Sequence, residues 1–118
     1  MKLNFITFMV RDLDRSIAFY RDLAGLKVLR QLSPGPGKIA FLGNAEGETM
    51  LELVSFEGAP TVSTQAMTLS FSAEGPRLEE LRETALTLGF APSEIIQDGP
   101  KPAHFTVIDP DGVQVEFL

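Results

Sequence analysis

There is no cysteine in this chain and only one histidine, His104. Without cysteine, thiol catalysis, disulfides and thiolate metal sites are excluded together. The same absence fits a protein of the reducing cytoplasm. Basic residues are also scarce: 10 Lys and Arg stand against 16 Asp and Glu, for a net charge of −6. Nucleic acid demands a basic face, so the balance argues against it as a partner. It mildly favours neutral or cationic small ligands. No apolar run approaches membrane-spanning length, so no membrane partner is expected. The amino terminus, MKLNFITFMVRDLD, alternates and runs straight into a charged helix start, unlike a signal peptide. At 118 residues the chain suffices for one domain with its own core.

What is there is a plan stated twice. NFITFMVRDLDRSIAFYRDLAGL, residues 4–26, reads as an alternating strand, an acidic turn, a helix and a glycine. AMTLSFSAEGPRLEELRETALTLGF, residues 66–90, has the same order. Each half closes on a strand with one glutamate, Glu52 in MLELV and Glu116 in VQVEF, 64 residues apart. The opening strands repeat at 61, Phe71 answering Val10. A repeat of this length means two copies of one supersecondary unit.

Alternation predicts a first strand over Leu3–Val10, with Phe5, Thr7 and Met9 on one face and Ile6, Phe8 and Val10 on the other. Asp14 is the expected N-cap of a helix running to about Ala24, with Ile17, Tyr20 and Leu23 as its apolar stripe and Gly25 as its stop. Strands over Lys27–Leu32, Lys38–Leu42 and Thr49–Phe56 follow, the first two joined by the SPGPG turn. Residues 1–56 thus make one βαβββ module, and 57–65 a patternless linker. The second module, 66–118, predicts a strand at 67–72, then a helix with Pro76 at its first position and Leu78, Leu81, Ala85 and Leu88 as its stripe. Strands at Ser93–Gln97, His104–Ile108 and Val113–Leu118 complete it, the last two joined by a tight Asp-Pro-Asp-Gly turn.

With DLDRSIAFYRDLAGL early, FTVIDPDGVQVEF at the end and βαβββ twice, the chain resembles the vicinal oxygen chelate superfamily, the group of glyoxalase I, extradiol dioxygenases, and fosfomycin- and bleomycin-resistance proteins. The resemblance covers essentially the whole chain. It implies an α+β fold in which two tandem βαβββ modules form a curved sheet around a cleft. It also implies a homodimer. In metal-binding members the ligands are typically a His on each opening strand and a Glu or His on each last strand. Matched residue by residue, those positions hold Phe5 and Glu52 in the first module, and Ala66 (or Met67, one register on) and Glu116 in the second. Both imidazoles are missing.

Zn2+ and Ni2+ sites favour imidazole and usually take three or more protein ligands, so no transition-metal cofactor is expected. Mg2+ or Ca2+ on Glu52, Glu116 and water is the metal alternative. Two carboxylates brought together without a metal would repel, so one would take a proton or a cationic ligand would sit between them. Alternatively, each pairs with a nearby Lys or Arg. Phe5, Thr7, Met9, Thr68 and Ser70 are the expected remainder of the pocket wall, with Thr106 facing the ligand as its match does in fosfomycin-resistance relatives. His104 shares the face of Thr106 and Ile108; it is either a rim hydrogen-bonding group or base, or a partly exposed strand-end residue beside a Pro-rich loop.

Three readings follow. The first is a metal-independent small-molecule binding protein of the bleomycin-resistance type, with an antibiotic or a cation as ligand. The second is a glyoxalase-like lyase or isomerase with Glu52 or Glu116 as base, or with a divalent metal. The third is a non-catalytic sensor or interaction domain.

Overall fold

The first strand, β1 (Phe5–Met9), hands the chain to helix α1 (Leu13–Asp22) through a single acidic cap. That cap is Asp12, not Asp14: its backbone is extended (φ −138°, ψ 103°) and its carboxylate accepts the Arg15 N–H at 3.2 Å. Asp14 lies inside the first turn, where its charge suits the positive end of the helix dipole. Ile17, Tyr20 and Leu23 are buried as the stripe requires, and Leu13, Ser16 and Phe19 are covered as well. The helix ends as the Leu26 N–H reaches back to the Tyr20 carbonyl (3.0 Å), with Gly25 at φ 71°. A side chain with a Cβ takes that left-handed conformation only at a cost.

In the computed structural model, residues 1–73 and 75–118 are described. They fall into two compact units, Met1–Val62 and Ser63–Leu118. In the first, β2 (Lys27–Leu32), β3 (Lys38–Gly43) and β4 (Met50–Ser55) complete a four-stranded sheet of order β1-β4-β3-β2. β1 runs parallel to β4; the other pairs are antiparallel. One sheet face carries Phe8, Ala40, Leu42, Leu51 and Leu53, all buried, and α1 packs on this sheet, with Tyr20 edge-on to Phe8 at 6.2 Å. Burying each large apolar side chain contributes about 1.5–3 kcal/mol, which is what holds the helix. The opposite face therefore carries Phe5, Thr7, Phe41 and Glu52.

The second unit repeats the plan with a smaller sheet. β5 (Thr68–Phe71), β6 (Phe105–Ile108) and β7 (Gln114–Phe117) lie in the order β5-β7-β6, β5 parallel to β7. Phe71, Phe117 and Phe105 stack in one cross-strand row, with ring centroids 5.8 and 5.3 Å apart. Helix α2 (Leu78–Thr87) buries Leu81 and Ala85 and packs along β6. Pro76 does not open this helix; Arg77 is the N-cap, its N–H held by the Glu80 carboxylate at 3.2 Å. Leu88 is the C-cap and remains 41% exposed, so it leaves the stripe.

The strand expected at 93–97 is reduced to one bridge, Ile96 with His104. The Ser93 N–H bonds the Thr106 carbonyl (2.8 Å), but the Thr106 N–H is taken by the Ser93 hydroxyl (2.9 Å) instead of its backbone. That substitution slips the register before Ile96 and breaks the ladder. The Asp109–Gly112 turn forms as expected. The Asp109 carboxylate accepts the Asp111 and Val113 N–H groups at 2.8 and 2.9 Å, and Gly112 takes φ 91°. Among the described residues no helix is long and apolar enough to cross a membrane.

Candidate functional site

The same three-residue row occurs in both sheets. In the first unit Thr7, Glu52 and Phe41 lie side by side on β1, β4 and β3, and the Thr7 hydroxyl donates to Glu52 Oε1 at 2.8 Å. In the second, Ser70, Glu116 and Thr106 lie on β5, β7 and β6, and the Ser70 hydroxyl donates to Glu116 Oε1 at 2.8 Å. A hydroxyl one parallel strand away thus orients each carboxylate. Both glutamates sit opposite the helix-packed face because neighbours such as Leu53 and Val115 are buried by alternation.

This register changes one expectation. Phe5 opposes Met50, two residues before Glu52; the residue opposing Gln114, two before Glu116, is Thr68. Thr68, not Ala66 or Met67, is therefore the counterpart of Phe5. Ala66 lies in the turn before β5 with φ 64°, and Met67 precedes the strand. Gln114 Nε2 donates to the Thr68 hydroxyl at 2.9 Å.

The two faces differ in chemistry. In the first unit the row is aromatic: Phe5 and Phe41 tilt against one another at 5.0 Å, and the Arg30 guanidinium lies 5.0 Å from the Phe41 ring centre. Arg30 is paired in turn with Glu46 at 3.5 Å. Met9 opposes Val54 at the far end of the same face, half-buried. In the second unit the corresponding residues are Thr68, Ser70, Thr106 and Gln114, a row of hydroxyls and one amide.

The carboxylates differ too. Glu52 is half-buried, and among the described residues no lysine or arginine stands within ion-pair distance of it. Glu116 is only 5% exposed, and its Oε2 pairs with the Lys101 ammonium, itself 49% exposed. That hydrogen bond holds the Glu116 carboxyl below the usual glutamate range; burial opposes the shift, while the Ser70 hydroxyl and the charges of Lys101 and His104 support it. For Glu116, then, the last of the three expected alternatives holds: the carboxylate pairs with a lysine of its own chain. Residues 98–102 read as a loop without any sign of this role. The available signal was a lysine held between Pro100 and Pro102 just ahead of β6.

His104 forms the bridge to Ile96 through its backbone, and its ring Nδ1 lies 2.9 Å from the Pro102 carbonyl. The ring is thereby tied to its own loop, close enough to Glu116 to add its charge. Thr106 stands beside Glu116 as the alternation requires. A cavity of about 340 Å³ lies elsewhere, around Arg11, Asp12, Asp14, Lys38, Phe56 and Glu57 at the start of α1. None of the candidate residues lines it. It is a groove of mixed charge at a capped helix end, so we place the candidate site on the two glutamate rows instead.

The donor set does not fit a family-type transition-metal centre. Phe5 and Thr68 carry no imidazole, and the Glu116 carboxylate is already neutralised by Lys101. Among the described residues no group of three His, Cys, Asp or Glu side chains is placed to hold a metal ion.

Tandem βα-sheet units that each set one glutamate on their closing strand, opposite the buried apolar face, define a recognisable class. Residues 2–117 match the model of the Glyoxalase/Bleomycin resistance protein/Dioxygenase superfamily, and the chain belongs to that family. It is 29% identical to the lactoylglutathione lyase of Haemophilus influenzae over 126 aligned positions, covering 100% of this chain and 92% of that one. The trypanothione-dependent glyoxalase I of Leishmania major superposes with a TM-score of 0.81 at 27% identity, over 100% of this chain and 86% of the other. TnmS3, an antibiotic-binding protein from a Streptomyces species, shares the fold at a TM-score of 0.77 and 18% identity, over 99% and 93% of the two chains.

Proposed function

We propose that the protein is a metal-independent small-molecule binding protein of the bleomycin-resistance type, and that its ligand is an aromatic cation. The observation that carries this reading is Glu52: a carboxylate held by a neutral hydroxyl, with no ion-pair partner among the described residues, on the strand face that also presents Phe5 and Phe41. A flat apolar ligand gains contact area on Phe5, and a positive charge on it gains the Glu52 carboxylate and the Phe5 ring, the Phe41 ring already carrying the Arg30 guanidinium. Kinship of fold with an antibiotic-binding protein supports the same reading. Glu116, already neutralised, is not the charge that such a ligand reads.

The test is calorimetric titration of the metal-free protein with bleomycin and with a panel of planar aromatic cations. At least one should bind, and Glu52→Gln should weaken it by roughly tenfold or more, as loss of a charge-assisted contact implies. Absence of binding across the panel, or binding indifferent to Glu52→Gln, would overturn the reading.

A second reading is favoured by the 29% identity with a lactoylglutathione lyase across the whole chain. Here Glu52 would serve as the proton-transfer base, since Glu116, held ionised by Lys101, is a weak one. Formation of lactoylglutathione in the presence of added Zn2+ or Ni2+, abolished by Glu52→Gln, would establish it in place of the first.

A further inference from the structure

Glu116 is an almost fully covered carboxylate with both oxygens engaged: Oε1 by the Ser70 hydroxyl, Oε2 by the Lys101 ammonium. The two partners differ in origin. Ser70 is fixed on a neighbouring strand in register. Lys101 comes from outside the sheet, from a Gly-Pro-Lys-Pro stretch beyond the Ile96–His104 bridge, and nearly half of its side chain meets solvent. The equivalent carboxylate of the first unit has the hydroxyl but, among the described residues, no such cation.

We infer that Glu116 and Ser70 form a binding site for a primary ammonium group, and that Lys101 is its tethered resident. A covered carboxylate left without a counter-charge is costly, so whatever displaces Lys101 must itself be positive. One carboxylate and one hydroxyl satisfy a monovalent ammonium but fall short of a divalent ion's ligand set. Because Lys101 belongs to the same chain, it competes for Glu116 intramolecularly, ahead of any free amine. Lys101 therefore acts as an internal competitor that sets how strongly an amine must bind to enter. This inference rests on Glu116 and is independent of the reading of Glu52.

The test is a backbone-amide NMR titration of the full chain with ethylammonium chloride, using sodium chloride at equal ionic strength as control. Lys101→Ala should bind ethylammonium roughly tenfold or more tighter than wild type, with shifts centred on Ser70, Thr106 and Glu116. The gain should vanish in Lys101→Ala/Glu116→Gln. If Lys101→Ala does not fold, Lys101→Gln removes the same charge while keeping most of the side chain. A folded variant that gains no ethylammonium binding overturns the inference. So does one that gains Mg2+ but not ethylammonium, since Glu116 would then be a metal position that Lys101 blocks.

Discussion

Replacing Glu116 by glutamine separates charge from shape. Glutamine keeps an oxygen for the Ser70 hydroxyl and nearly the same volume, and loses the ion pair with Lys101. A hydrogen bond between charged groups contributes about 1.5–3 kcal/mol when shielded. Lys101 is half exposed, so solvent screening and its own side-chain freedom reduce this to about 1 kcal/mol. In a chain of this size that lowers the melting midpoint by about 4 °C. The pH dependence carries the sharper signature. The folded Glu116 carboxyl lies below its unfolded value, so its contribution is fully present above the unfolded pKa and is lost as pH falls through the folded one. The stability gap between wild type and Glu116→Gln should hold from pH 7 to pH 5, narrow below about pH 4.5 and close in stronger acid. Urea denaturation of both proteins at pH 7, 5, 4 and 3 measures the gap directly. A gap independent of pH, or no gap at pH 7, would refute the argument that Lys101 holds Glu116 ionised.

Two further outcomes test the local structure. Asp12→Ala should cost about 1 kcal/mol by urea denaturation and Asp14→Ala less, because only Asp12 caps α1 with its side chain. Ser93→Ala removes the acceptor of the Thr106 N–H at 2.9 Å; it should cost about 1–3 kcal/mol and accelerate hydrogen exchange at the Thr106 amide, while exchange at Val115 in the adjoining strand pair changes little.

Much of the fold was legible because it follows from short-range periodicity. The alternation of Phe5–Met9 and the 3–4 spacing of Ile17, Tyr20 and Leu23 are properties of neighbouring residues, and the structure uses both. The cap is not legible in the sequence because Asp12 and Asp14 are the same residue type two positions apart, and only backbone geometry decides which carboxylate reaches an orphan N–H. The strand at 93–97 failed for a similar reason: a serine hydroxyl took the place of a backbone carbonyl, which no hydropathy pattern reports.

The candidate site was legible in part. Alternation put Glu52 and Glu116 opposite the buried leucines and valines, and the repeat made them a pair. Their pairing with Thr7 and Ser70 depends on the parallel register of strands some 45 residues apart in the chain, which local pattern does not encode. The amino-acid sequence by itself determined the repeated units, the sheet faces and the family, because these depend on residue types at short spacing. Only tertiary structure decided that one glutamate is neutralised and the other is not. That difference depends on where a proline-flanked loop delivers one ammonium group, and an ion pair is a matter of distance in space rather than along the chain.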